Sequence, residues 1–258
     1  LAPIREAVAS MLDWSRLVES LIDPAIFERV RDLVARRRPP NWSEIEDWRR
    51  GAAFVEESGW AIVWLPRSEV VSALIDAAPD DRESVLVSRS PTLVEDALEC
   101  AKAIQHGDLQ FLGECAAEIA DSIREGRYRA GQALAASVLT ELIQGILGHK
   151  RLAEVHTEYG QPWEEQSIRL LRFALITSTI PKALSNFYRD KGDQMPSSFN
   201  RHAVAHGASP VQFTELNALV GLLLVTALTR ELQELYDEGL LLDGQVDTSA
   251  RVSSYDAT

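Results

Sequence analysis

The feature that most constrains the fold is the longest apolar stretch of the chain, Ala218–Leu228, which contains no charged residue. Charged residues flank it at Glu215 and Arg230, and it is shorter than the roughly 17 to 25 residues that a membrane-spanning helix needs. A helix that is apolar on every side is stable in water only when other elements cover it. The sequence therefore predicts a buried helix here rather than a membrane span.

Helical periodicity continues over most of the chain, and the sequence predicts an all-α protein. Four long helices are expected in its second part, approximately over residues 92–125, 128–149, 163–190 and 213–238. The break between Gly192 and Pro210 is long for a compact helical bundle, and such segments are usually functional or disordered. Residues 241–258 are predicted to form a loosely held tail.

The first 88 residues are predicted to form a separate helical region with its own core, because five of the six tryptophans lie in the first quarter of the chain. Helices are expected over residues 3–21 and from Asp23 to just before Pro39. A third is expected from Ser43, whose hydroxyl can cap it while Glu46 reaches back in a capping box. The five tryptophans are Trp14, Trp42, Trp48, Trp60 and Trp64.

Two short apolar runs interrupt the helical rhythm before residue 89. Trp60–Leu65 lies between a glycine and a proline, and Ser84–Val87 follows an acidic turn. Either run could be a short strand, so the sequence also predicts a possible small hairpin. A second capping box, from Thr92 to Glu95, places a domain boundary near residue 89 and begins a helical domain over residues 89–240.

Composition and charge narrow the function classes. The chain of 258 residues has a net charge of -13, which disfavours nonspecific attraction to nucleic acid. The segment Ser167–Gln212 is basic in contrast to the rest of the chain, because it carries six basic and two acidic residues. Its basic residues either attract a phosphate to one region or belong to solvated helix faces. Cys100 and Cys115 are expected to be reduced and buried. Without a secretion signal at the N-terminus, the expected compartment is the cytoplasm, with no membrane partner.

Within that basic segment, the run Asn200–Gly207 (NRHAVAHG) brings an arginine, two imidazoles and an amide together. Histidine is the side chain best suited to move protons near neutral pH, and arginine can bind a phosphate and stabilise its developing charge. Such a pair can cleave a phosphodiester without a metal or cofactor when the substrate supplies its own nucleophile, as the 2'-hydroxyl of RNA does. Arg201 and His206 are therefore the candidate catalytic residues, and Asn200 and His202 are candidate substrate-binding residues.

The same run resembles the signature of the HEPN superfamily, all-helical domains whose ribonuclease members carry an arginine, usually a polar residue, and then a histidine. Arg201, His202 and His206 match the shortest of the allowed spacings, and the resemblance covers approximately residues 92–238, with the motif before the last helix. It implies a four-helix bundle and a metal-independent endoribonuclease, a kind of domain that commonly serves as a toxin or phage-defence effector. It also implies an RNA substrate, a homodimer with a composite site and the last helices near its axis, and room for an antitoxin or other regulatory partner.

Spacing alone leaves alternatives open. Arg151 and His156 show the same kind of spacing in a charged connector, so the surroundings of the motif single out Arg201 and His206. On a straight helix, residues five apart differ by about 140° and about 7.5 Å of rise, so these two side chains need a bent turn or a second copy of the chain to meet. His202 and His206 have the spacing of paired zinc ligands, but no third ligand is apparent near them in the sequence.

A noncatalytic interpretation competes with the enzyme. In it, His206 and Gly207 cap a short helix and Arg201 pairs with an acid. Glu141, on an otherwise apolar helix, is either such an inward-facing acid or a residue of a solvated face. The protein would then be a helical interaction or nucleotide-binding protein, which its acidic net charge favours.

Overall fold

The computed structural model describes residues 32, 34–149, 154, 170–242 and 245–246, and it confirms an all-α fold for them. The α-helices of this part include α1 (Trp48–Ser58), α2 (Ser68–Asp76), α3 (Arg82–Ser88), α4 (Ser90–Lys102), α5 (Gly107–Arg124), α6 (Tyr128–Glu141), α7 (Leu171–Thr177), α8 (Ile180–Ala183), α9 (Arg201–His206) and α10 (Glu215–Asp237). A π-helical turn, Leu142–Ile146, continues α6. Two-residue strands, β1 (Leu241–Leu242) and β2 (Gln245–Val246), pair antiparallel after α10.

The helices α4, α5, α6 and α10 form a bundle, and α10 packs against each of the other three. The helix α7 packs on α10 as well and connects it to α1. Every residue from Asn217 to Thr229 is buried, so the predicted buried helix is confirmed. The middle of α10 has no exposed stripe, and the expectation that two last helices lie near a dimer axis stays a prediction.

The buried apolar side chains form one cluster that extends from Trp42 to Leu241. Trp64 connects the region before residue 89 directly to α10, because its indole Nε1 donates to a carboxylate oxygen of Glu231 at 2.8 Å. The guanidinium groups of Arg172 and Arg230 lie over the Trp64 ring, 4.8 and 4.4 Å from its centroid. The prediction of a separate tryptophan core before residue 89 is therefore wrong. Trp14 lies outside the described residues.

The capping box predicted at Ser43 is also wrong. Ser43 follows a 3-10 turn, Pro40–Trp42, and its hydroxyl is 3.0 Å from that of Ser68. The helix α1 begins at Trp48, where the Asp47 carboxylate caps it by accepting from a backbone N–H. A tertiary contact has replaced the local one.

The predicted capping box from Thr92 to Glu95 fails for a different reason. The helix α4 begins two residues earlier, at Ser90, with Pro91 in its first turn. Pro91 has a fixed φ suited to a helix start and no N–H to leave unpaired, so the start needs no side-chain cap. The domain boundary near residue 89 stays a prediction.

The hairpin predicted before residue 89 is wrong as well. Ser84–Val87 belongs to α3, and Trp60–Leu65 is an irregular segment, largely buried. The carbonyl of Ile62 accepts from the side chains of Asn41 and Trp42, at 3.1 and 2.8 Å. Side chains thus satisfy a backbone group that a partner strand would otherwise pair.

The predicted helix over residues 92–125 is two helices, separated at residues 103–106. There the backbone N–H groups of Gln105 and His106 both donate to the buried side-chain oxygen of Gln233, each at 2.8 Å. The described part of the predicted helix over residues 163–190 holds α7, α8 and an irregular segment. The predicted helix over residues 3–21 and most of the C-terminal tail lie outside the described residues.

Both cysteines are free thiols, as predicted. Cys115 is buried and Cys100 is partly buried. Burial raises the pKa of the Cys100 thiol to about 11, so the reactive thiolate is scarce at neutral pH. Across the described ranges, no helix has both the length and the apolar character to cross a bilayer.

Candidate functional site

The motif helix α9 begins at a buried cap. Asn200 is fully buried, and its Oδ1 accepts a hydrogen bond of 2.8 Å from the backbone N–H of Ala203. Its Nδ2 donates to the backbone carbonyl and the Oγ of Ser185, at 2.9 and 2.7 Å. Asparagine suits this position because its side-chain oxygen satisfies an N–H that a helix start leaves unpaired. The side chain predicted to bind substrate is thus placed as a structural cap, with both amide groups bonded inside the protein.

Buried glutamines hold the segment that leads into this cap. The Nε2 of Gln212 donates to the carbonyls of Pro196 and Ser198, each at 2.9 Å. Its Oε1 accepts from the backbone N–H of Asn200 at 3.2 Å and from Nε2 of Gln132, on α6, at 2.9 Å. The side chain of Gln212 therefore makes four hydrogen bonds and is fully buried.

Asn217, in the first turn of α10, completes this arrangement. Its Nδ2 donates to the carbonyls of Ser197 and Gln212, at 2.8 and 2.7 Å. We refer to Gln132, Asn200, Gln212 and Asn217 as the amide network. It fastens the segment before α9 to both α6 and α10, and so fixes where the motif helix lies. The sequence analysis missed three of its four members.

Arg201 is the first residue of α9, and its guanidinium turns toward α6. Its Nε donates to Oγ1 of Thr140 at 2.9 Å, in the last turn of α6. The side chain is partly exposed, and among the described residues Thr140 is its one hydrogen-bond partner, so both Nη groups can bind a ligand. Glu141 is exposed, and it forms no ion pair with Arg201. Glu141 therefore belongs to a solvated face.

His202 and His206 lie on one face of α9, with ring centroids 6.4 Å apart and ring planes 10° from parallel. His206 is exposed and His202 is half-buried. Burial lowers the pKa of His202, and the nearby Arg201 and His206 lower it further, so His202 is neutral at neutral pH. In the part of the chain that the structure describes, no third histidine, cysteine or carboxylate joins the two imidazoles to form a metal-binding group.

Arg201 and His206 lie at opposite ends of a regular helix. The N–H of Val204 donates to Asn200 O and the N–H of Gly207 donates to Ala203 O, each at 3.0 Å, so α-helical bonding continues to the end of α9. A regular helix separates these two side chains by about 140° around its axis. No bent turn brings them together, and a single chain leaves the arginine and the histidine of the motif apart.

A second arginine lies at the C-terminal end of α9. Arg189 belongs to a 3-10 turn, Arg189–Lys191, and its Nη1 is 3.6 Å from the position that a Cβ at Gly207 would occupy. The same position is 3.2 Å from Cε of Met195, so the absence of a side chain at Gly207 lets Met195 approach the backbone closely here. Cations are favourable near a helix C-terminus. The sequence analysis placed Arg189 in the basic segment and gave it no role.

Comparisons with protein-family models, with curated proteins and with solved structures found no match. The resemblance to the HEPN superfamily therefore stays a prediction from the motif.

Proposed function

We propose that this chain is a metal-independent endoribonuclease of the HEPN type, with an active site that forms between two copies of the chain. The observation that supports it is the presentation of α9. Its N-terminal end is fixed by the buried amide network, while His206 is exposed and, among the described residues, only Nε of the Arg201 guanidinium has a hydrogen-bond partner. A fixed helix that exposes a permanent cation and a titratable base suits phosphodiester cleavage.

In the proposed reaction, the neutral imidazole of His206 takes the proton of the RNA 2'-hydroxyl while the 2'-oxygen forms a bond to phosphorus. The bond from phosphorus to the 5'-oxygen breaks, and His206, which now carries the proton, delivers it to this oxygen. Arg201 stabilises the charge of the phosphorane-like transition state. The products are a 2',3'-cyclic phosphate and a 5'-hydroxyl. His202, neutral at neutral pH, contacts the substrate, and Asn200 positions the helix.

A composite site accounts for the separation of the two catalytic residues. Because α9 is regular, Arg201 of one copy would act beside His206 of the other. Since the middle of α10 is buried, we expect two copies to meet through the exposed side of α9. A role as a toxin or phage-defence effector, and any antitoxin partner, rest on the family resemblance alone.

The test uses the full chain, total RNA and an excess of EDTA. We expect the parent to cleave RNA in the chelator, and Arg201→Ala and His206→Ala, each shown to be folded by circular dichroism, to be inactive. Lys191→Gln, which removes an exposed cation of the same basic segment, should cleave like the parent.

Mixing the two inactive variants tests the composite site. In a randomly mixed symmetric dimer, half of the dimers carry one intact site of two, so activity should return to about one quarter of the parent's. Mixtures that stay inactive would place both residues of a site in one chain. Failure of the parent to cleave any RNA would overturn the proposed activity.

The regular geometry of α9 also favours a second candidate, a noncatalytic helical interaction or nucleotide-binding protein. A single chain does not bring Arg201 and His206 together, and the net charge of -13 opposes general RNA binding. Saturable binding of a nucleotide or a protein by a parent chain that cleaves no RNA would support this function.

A further inference from the structure

The hydroxyl of Thr140, in the last turn of α6, makes two hydrogen bonds that determine how Arg201 is held. Its Oγ1 donates to the backbone carbonyl of Ala136 at 2.9 Å and accepts from Nε of Arg201 at 2.9 Å. A hydroxyl has one proton, and an arginine Nε–H can only donate, so the two bonds do not compete. Thr140 therefore gives Arg201 an acceptor whose direction is set by the backbone of α6.

The part of the Arg201 guanidinium that faces away from Thr140 is open to a ligand. Thr140 takes up the Nε–H, and neither Nη group has a partner among the described residues. Neither Nη group is buried. A guanidinium that is held at Nε keeps the parallel N–H bonds of its two Nη groups, and these can bind two oxygens of one phosphate.

No acid of the described ranges neutralises Arg201, although Glu141 directly follows Thr140. The carboxylate of Glu141 lies against Gly145 in the π-helical turn that continues α6, where a Cβ at Gly145 would collide with it. The missing side chain of Gly145 thus gives Glu141 a place along its own helix. A permanent cation that is held at one atom and has no counter-charge is suited to bind an anion.

We propose that Thr140 is a positioning residue of the active site, which orients Arg201 so that its two Nη groups bind the two nonbridging oxygens of the scissile phosphate. This inference rests on the proposed function, because it names how Arg201 contacts RNA. Thr140 touches no substrate and acts through Arg201 of the same copy. A lysine at residue 201 would keep the charge but not the geometry, because an ammonium has no planar fork.

Binding of a short 2'-O-methyl RNA of mixed sequence to the full chain, followed by fluorescence anisotropy, tests this role apart from catalysis. The probe keeps the phosphates of RNA but lacks the nucleophile, so it cannot be cleaved. We expect Thr140→Val to bind it about fivefold more weakly, the effect of losing one hydrogen bond. Thr140→Ser, which keeps the hydroxyl, should bind like the parent.

The matched control is Ser137→Ala, on the same helix. The Ser137 hydroxyl also donates to the carbonyl four residues before it, at 3.2 Å, but within the described part of the chain it holds no arginine. Its removal should leave the affinity unchanged. Arg201→Lys, which keeps the charge, should bind the probe about fivefold more weakly than the parent.

A double-mutant cycle shows whether Thr140 acts through Arg201. In the Arg201→Ala background, adding Thr140→Val should change the affinity by less than about twofold, since the group that Thr140 orients is gone. Each variant is used after its thermal unfolding has been shown to match that of the parent, and Thr140→Ala replaces Thr140→Val if the valine variant does not match.

Three results would overturn the positioning role. They are a parent affinity weaker than about 100 μM, the weak end of nonspecific nucleic-acid binding, full affinity in Thr140→Val or in Arg201→Lys, and an undiminished effect of Thr140→Val in the Arg201→Ala background. A parent that cleaves no RNA, but binds the probe and loses affinity in Thr140→Val, would refute the proposed ribonuclease and leave the positioning of Arg201 for phosphate binding in place.

Discussion

Replacing Gln212 with glutamate should destabilise the protein at neutral pH, although the change replaces a single NH₂ group with an oxygen. The two bonds that Oε1 accepts, from Asn200 and Gln132, can persist. The two bonds that Nε2 donates, to the carbonyls of Pro196 and Ser198, cannot, because a carboxylate has no donor. A fully buried carboxylate oxygen would then face two carbonyl oxygens.

The expected loss in the free energy of unfolding is about 3 kcal/mol at pH 7, because each buried polar group left unpaired costs about 1–3 kcal/mol and a charged one costs more. Burial and the facing carbonyls raise the pKa of the new carboxyl above the roughly 4.3 of an unfolded chain. Below that pH the carboxyl is protonated in both states, and its O–H restores one of the bonds. The deficit should therefore grow as the pH rises from about 4 to 7.

Urea unfolding followed by circular dichroism, at about pH 5 and about pH 7, measures this deficit. The matched control is Gln194→Glu, which makes the same chemical change at an exposed position of the same segment and should alter stability by less than about 0.5 kcal/mol. A deficit for Gln212→Glu below about 0.5 kcal/mol at pH 7, or one that shrinks with rising pH, would show that the amide network does not hold the segment before α9.

Two further substitutions test the packing and charge pairing of the buried core. Gly51→Ala should lower the free energy of unfolding by about 1–3 kcal/mol in a thermal unfolding measurement, because the new Cβ would lie 2.8 Å from the buried ring of Trp42. The control is Gly107→Ala, which has no neighbour within 4 Å of the new Cβ and should be neutral or stabilising in the same measurement. Glu231→Leu should cost about 3–5 kcal/mol in urea unfolding, because it leaves the buried guanidinium of Arg172, now 2.9 Å from a Glu231 oxygen, without a counter-charge. A cost below about 1 kcal/mol would mean that Arg172 finds water instead.

Burial could be predicted from the sequence where one residue type repeats along an element. The burial of Ala218–Leu228 can be predicted from its apolar residues alone, without knowledge of what packs against it, and this stretch is the middle of α10. Helix ends were predicted less well, because their signals compete with contacts that the sequence does not display. Ser43 has the residue type of a cap, but its hydroxyl contacts Ser68, 25 positions away.

The candidate site was predictable to the same limited extent. The residue types of Arg201 and His206 suggested a chemistry, and the following glycine suggested where their helix ends. The anchoring of that helix was not predictable, since Gln132 and Gln212 are bonded across 80 positions and neither has a local pattern that marks it as buried. In the sequence, a glutamine that is buried in the fold cannot be distinguished from one at the surface, because its hydrogen-bond partner lies far along the chain.

The burial of α10 has a consequence for the order in which the protein can fold. Translation releases residues from the N-terminal end, so α1 to α9 leave the ribosome before the helix that α4, α5 and α6 pack against. Until that helix emerges, their apolar faces share no completed core, and exposed apolar surface of this kind favours aggregation or chaperone binding. The bundle can therefore become native only after α10 has been synthesised, and a stall in translation before residue 215 would leave α4, α5 and α6 without the helix that they pack against.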